Sequence, residues 1–169
     1  MLKLQLYHEM YYVATPSIAE LDAVLQEKAG DAEAYHLRGI ANFQNFEFRA
    51  AAHDFSRAIE LRPDFVDAIF HRGIVRVVRG RYNDAIEDFN RVIELQPDHA
   101  AAYYNRGRLH YWKGEYEAAI ADFQKARKLD PLLGRELNLR YVIGELQRRP
   151  DDNSVLTQVQ RIIDRLLDL

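Results

Sequence analysis

The sequence predicts an all-α fold, a stack of antiparallel helix pairs. Three observations predict it. Gly39, Gly73 and Gly107 stand 34 residues apart, and so do Ala51, Ala85 and Ala119, Phe55, Phe89 and Phe123, and Pro63, Pro97 and Pro131. Each copy carries two runs of apolar residues at helical spacing, and each is closed by its proline. A period of this length marks a repeat architecture, in which one supersecondary unit is stacked on the next.

The middle copy shows how each element is specified. Its first helix is expected from about Asp67 to Val78, with Gly80 as the break. The second is expected from about Asn83 to Leu95, ended by Pro97, which cannot continue a helix and restricts its predecessor. Gly80 and Gly114 suit the left-handed residue that follows many helices, and Asn45 is expected to take that place in the first copy. Gly73 lies inside a helix, where glycine costs about 1 kcal/mol against alanine. The expected reason is close approach to Ala85 on the second helix, with Ile69 and Phe89 above and below.

These residues resemble the tetratricopeptide repeat, whose 34-residue pattern runs W-x2-L-G-x2-Y, then A-x3-F, then P. The first aromatic slot holds Tyr35, Ile69 and Tyr103, and the glycine, alanine, phenylalanine and proline slots match in all three copies. Two slots depart. Arg38, Arg72 and Arg106 replace the leucine, and Asn42, Arg76 and His110 replace the tyrosine, so each repeat must contain polar pairing. The resemblance implies a right-handed α-α superhelix with repeats at 32–65, 66–99 and 100–133, forming one domain with the flanking segments. It also implies that the first helices line a concave binding groove. The groove slots would be His36, Ile40, Phe43 and Gln44, then Phe70, Ile74, Val77 and Val78, then Tyr104, Arg108, Tyr111 and Trp112. This set is largely apolar and aromatic, and exposed apolar patches mark contact sites. An alternative is that the protein's own terminal helix fills the groove. Some members of the family clamp a chaperone's terminal carboxylate with lysine, asparagine and arginine. The corresponding places include His36, Ile40, Ala101 and Asn105, so that ligand is not expected.

The flanks read as worn repeats. Residues 1–31 are expected to form a degenerate repeat or half-repeat. Ser17 opens a helix at 17–29 with Ile18, Leu21, Val24 and Leu25 on one stripe. Residues 2–13 are read either as the preceding helix or as a short extended arm. Lys3, His8 and Glu9 interrupt the first apolar run, so neither a signal peptide nor a membrane span is expected there. Residues 134–169 are read as capping helices, because Tyr141 falls in the glycine slot and Pro150 breaks the segment.

Arg38, Arg72 and Arg106 each have an aspartate sixteen residues on, Asp54, Asp88 and Asp122. Three equivalent ion pairs joining first and second helix are expected. The competing reading is an arginine stripe for a phosphate or carboxylate. Net charge is −3, which argues against a general nucleic-acid binder, and the absence of cysteine fits a reducing, cytoplasmic setting. His36 and His71 are expected to approach across adjacent repeats, but without a third ligand they suggest packing and no metal. No catalytic motif or cofactor site is present, so an enzyme is not expected. The function expected is a scaffold that holds an apolar or amphipathic segment of a protein or peptide partner, with no nucleic acid and no membrane insertion. The alternative is a structural subunit or self-assembling module that uses its terminal helices as interface.

Overall fold

The computed structural model describes Met10 and residues 13–131. The expectations for residues 1–9 and for the capping helices at 134–169 lie outside the described residues. Among these residues the chain forms seven helices and no strand: α1 (Ile18–Glu27), α2 (Ala32–Gln44), α3 (Phe48–Leu61), α4 (Val66–Val78), α5 (Tyr82–Leu95), α6 (Ala100–Trp112) and α7 (Tyr116–Leu129). None is long and apolar enough to cross a membrane. The chain divides into two compact units, Met1–Pro97 and Asp98–Leu169.

In the first unit α2 packs on α3, α3 on α4, and α4 on α5, so α3, the second helix of the first repeat, is held between two first helices. Phe55, Phe89, Ala51, Ala58, Ala85 and Val92 lie on the inner faces of α3 and α5 and are sealed from solvent. Apart from the buried Asp54 and Asp88, the charged residues of those helices lie on their more exposed faces, as an amphipathic helix on a core requires. Ala58, Phe65 and Ala68 form the cluster that joins the first repeat to the second. In the second unit α6 packs on α7, with Ala102, Leu109, Ala119 and Ala126 in its core.

The helices are bounded by repeated devices. Ser17 begins α1 with a reciprocal capping box to Glu20, and the Asp31 carboxylate accepts from the amides of Glu33 and Ala34 at the start of α2. Between first and second helix the same turn occurs three times. Phe46, Gly80 and Gly114 are left-handed, with φ of 64°, 74° and 79°. Their amides donate back to Phe43, Val77 and Tyr111, while the following amides of Glu47, Arg81 and Glu115 donate to the carbonyls of Asn42, Arg76 and His110. This is the paired-bond helix stop in which the residue after the cap is left-handed.

Three expectations are corrected here. The left-handed residue of the first repeat is Phe46, whereas Asn45 has φ −85°. The 34-residue ruler places Phe46 opposite Gly80, and the two backbone bonds fix its geometry in spite of its side chain. The interior glycines make room for the phenylalanine ring. A Cβ at Gly73 would lie 2.8 Å from Phe89 Cε1, and one at Gly39 would lie 2.7 Å from Phe55 Cε1. Ala85 is sealed in the same core but is not among the nearest atoms to Gly73. Finally, Val24 is 43% exposed, and Leu25 joins Leu21 and Ala34 in its stead. Leu21 keeps the register of Phe55, but the next buried position of α1 falls one residue later than in α3, where Ala58 is buried.

Candidate partner-binding surface

The first helices α2, α4 and α6 carry the residues nominated for partner contact. Their faces follow from period. Ile69, Gly73 and Arg76 recur at i, i+4 and i+7, and Phe70, Ile74 and Val77 repeat that spacing one residue on, about 100° around the helix. Such a helix has two apolar faces. One meets its own second helix, and the other meets whatever lies alongside.

In the first unit this second face is mostly interior. Ile40, Phe43, Phe70, Ile74 and His36 are all buried, Phe43 completely, and Val77 and Val78 are half-buried. Phe70 lies 5.7 Å from Phe89, ring centre to ring centre, and Phe43 lies 5.4 Å from Phe48. Gln44 donates to the carbonyls of Met10 and Val13 at 2.6 and 2.9 Å and accepts from Thr15, so it ties the chain ahead of α1 to the end of α2. In the second unit Tyr104, Arg108 and Tyr111 are buried, while Trp112 is 45% exposed. The Arg108 guanidinium stands 5.1 Å from the Trp112 ring and 5.9 Å from Tyr104. Burial pushes the Tyr104 hydroxyl up to about 12, so it stays neutral.

His36 and His71 meet between α2 and α4. His36 Nε2 lies 3.0 Å from His71 Nδ1, and the two rings are parallel within 4°. Among the described residues no group of three or more histidines and acids could hold a metal.

The polar slots form three networks, each centred on a buried carboxylate. Arg38 donates from Nε and Nη2 to Asp54 at 3.0 and 2.7 Å, Arg72 to Asp88 at 3.1 and 2.6 Å, and Arg106 to Asp122 at 2.8 and 2.6 Å. Two parallel bonds from a planar guanidinium are the strong form of this pair. The second polar slot completes two of them. Asn42 donates to Asp54 at 2.8 Å, and Arg76 lies 2.7 Å from Asp88 while donating to the Asp84 carbonyl. In the third repeat His110 turns outward to Glu115. Tyr35 and Tyr103 set their rings 5.4 and 5.5 Å from the guanidiniums of Arg38 and Arg106. Ile69 has no ring to offer Arg72, and there Arg76 brings a second cation. Hydrogen bonding to the aspartate raises the pKa of Arg38 and Arg106 above the ordinary arginine value.

Sequence reasoning did not single out Asp22 and Ser56. Arg38 Nη1 donates to Asp22 at 2.6 Å, and Arg72 Nη1 reaches Ser56 Oγ at 3.5 Å. Both sit sixteen residues before their arginine and 34 from each other, so the signal was present in the ruler. Each of these arginines therefore bonds within its own repeat and back to the helix pair before it.

A tetratricopeptide repeat family model matches residues 37–97 and 70–132. Comparison with curated proteins gives no match. Among solved structures, a crystal structure of MamA is 32% identical, with TM-score 0.65, over 68% of this chain and 67% of that one. MamA from residue 41 to its end, from Desulfovibrio magneticus RS-1, is 23% identical with TM-score 0.67 over 87% and 82%. The first tetratricopeptide domain of Spaghetti (RPAP3), solved with the HSP90 peptide SRMEEVD, is 15% identical with TM-score 0.58 over 80% and 93%. The last two show likeness of fold alone. Together with the 34-residue register and the three repeated turns, these matches establish that the chain belongs to the tetratricopeptide repeat family.

Proposed function

We propose that this chain is a non-enzymatic protein-interaction scaffold that holds an apolar or amphipathic segment of a partner against its first helices. The observation that carries the reading is Trp112. It is a tryptophan on a first helix, 45% exposed, with Arg108 beside its ring. Tryptophan and arginine are the residue types most often found to dominate interface energy. The buried members of the same slots, Ile40, Phe43, Phe70, Ile74, Tyr104 and Tyr111, act as the floor that holds the helices, while Val77 and Trp112 supply accessible apolar surface.

A phage-displayed library of amphipathic peptides, selected on the full chain, supplies the ligand for the test. Trp112→Ala should weaken the selected peptides by about 30-fold, the equivalent of roughly 2 kcal/mol, and leave helical content unchanged. Unchanged affinity in Trp112→Ala and in Val77→Asp would overturn the reading.

A further inference from the structure

We propose that the His36–His71 pair is an acid-sensitive joint between the first and second repeats, closed when the two imidazoles share one proton and opened when both are charged. At 3.0 Å between Nε2 of His36 and Nδ1 of His71, one nitrogen must donate and the other accept. A second proton would set two N–H groups head to head and two positive charges side by side.

The aromatic rings packed on the pair carry no counter-charge. The ring of Phe65 lies 4.7 Å from His36, and that of Phe55 lies 5.8 Å from His36 and 5.7 Å from His71. Phe70 lies 5.9 Å from His71. His36 is 6% exposed, and its other nitrogen, Nδ1, is buried without a hydrogen bond. The charged groups that act on His36 come from three places. Glu33 on α2 stands 3.8 Å from Nδ1, Asp67 faces it from α4, and Arg62 faces it from the α3–α4 turn. From α3 the side chain in contact is Phe55, which is uncharged. Two carboxylates against one guanidinium leave a partial counter-charge, and Arg62 is itself engaged with Glu33 at 3.0 Å and lies over the Phe65 ring.

Burial holds His36 below its ordinary value, with Glu33 and Asp67 pulling it up and Arg62 pushing it down. In the unfolded chain His36 takes up its proton near pH 6.5, about the unperturbed value, while in the folded chain it does so only at lower pH. Stability is therefore full above that pH and falls as acid is added, until the folded value is reached. The pair sits where α2 meets α4, so the loss is local to that joint before it is global.

The experiment follows histidine ring resonances and backbone amide exchange of the full chain between about pH 7.5 and pH 5.5, where free imidazole titrates. His36 is expected to take up its proton only below the pH at which a free imidazole does, and amides of α2 and α4 should lose at least about tenfold protection as the pair charges. The variant His36→Phe/His71→Phe keeps two rings in the aromatic nest, and its α2 and α4 protection should vary with pH at most half as much. Should the variant fail to fold, the wild-type titration decides. Charging of both imidazoles with undiminished protection of α2 and α4, or an equal loss of protection in the variant, would overturn the proposal.

Discussion

Gly73 is set by a ring. The position where its Cβ would stand is 2.8 Å from the edge of Phe89, closer than real side chains approach. Alanine there gains about 1 kcal/mol of helix propensity and must displace a sealed phenylalanine. Gly73→Leu should cost roughly 1–3 kcal/mol or more in thermal unfolding, while the exposed Glu87→Gln should change little. Combining Gly73→Ala with Phe89→Leu should recover part of the loss, and additive effects would remove the ring as the cause. Asp88 is set by charge. Its removal strands Arg72 and Arg76, each about four-fifths buried, so Asp88→Ala should cost on the order of 3 kcal/mol in urea unfolding. Replacing all three by apolar residues of similar volume should cost less than removing Asp88 alone. The sixteen-residue spacing of arginine and aspartate could be read from the sequence. The third partner, Asn42 or Arg76, could be read only as a polar residue in an apolar slot, because its direction depends on the rotation of the helix.

The elements were the most legible part of the chain. The first and second helices of the middle repeat begin one residue before the expected Asp67 and Asn83 and end at the expected Val78 and Leu95. Glycine and proline punctuate them, and those residues act through backbone geometry that sequence displays directly. Residue preference points to Asn45 as the left-handed residue, while the ruler points one residue further, to Phe46. The ruler prevails there, since two backbone bonds hold the turn whatever side chain it carries. A left-handed phenylalanine carries strain of order 1 kcal/mol. Its ring is 67% exposed and stands 6.2 Å from Phe48, so little burial offsets the strain. Phe46→Gly should therefore leave the melting temperature unchanged or raise it, by up to about 1 kcal/mol in stability. Gly80→Val, a β-branched residue at φ 74°, should lower it by more than that. A loss in Phe46→Gly equal to that in Gly80→Val would show that the ring, and not the backbone, governs the first turn.

At the scale of the whole molecule, periodicity was sufficient for the fold and insufficient for the surface. A 34-residue ruler identifies which residues share a slot. It does not say what covers the slot, because the covering atoms come from a neighbouring helix whose approach depends on side-chain volume. Ile40 and Ile74 share a slot with Arg108, and Phe43 and Val77 share one with Tyr111, yet only Trp112 among the nominated residues is openly exposed. On the proposed function, partner contact belongs to the first helices. Photo-crosslinking from single positions tests it most directly, with the probe placed in turn at Val77 and Trp112 on first helices and at Glu60 and Glu87 on second helices, and a selected amphipathic peptide as ligand. Crosslinks are expected from Val77 and Trp112, with none above background from Glu60 and Glu87. Crosslinks from the second-helix positions, with none from the first, would contradict the proposed function.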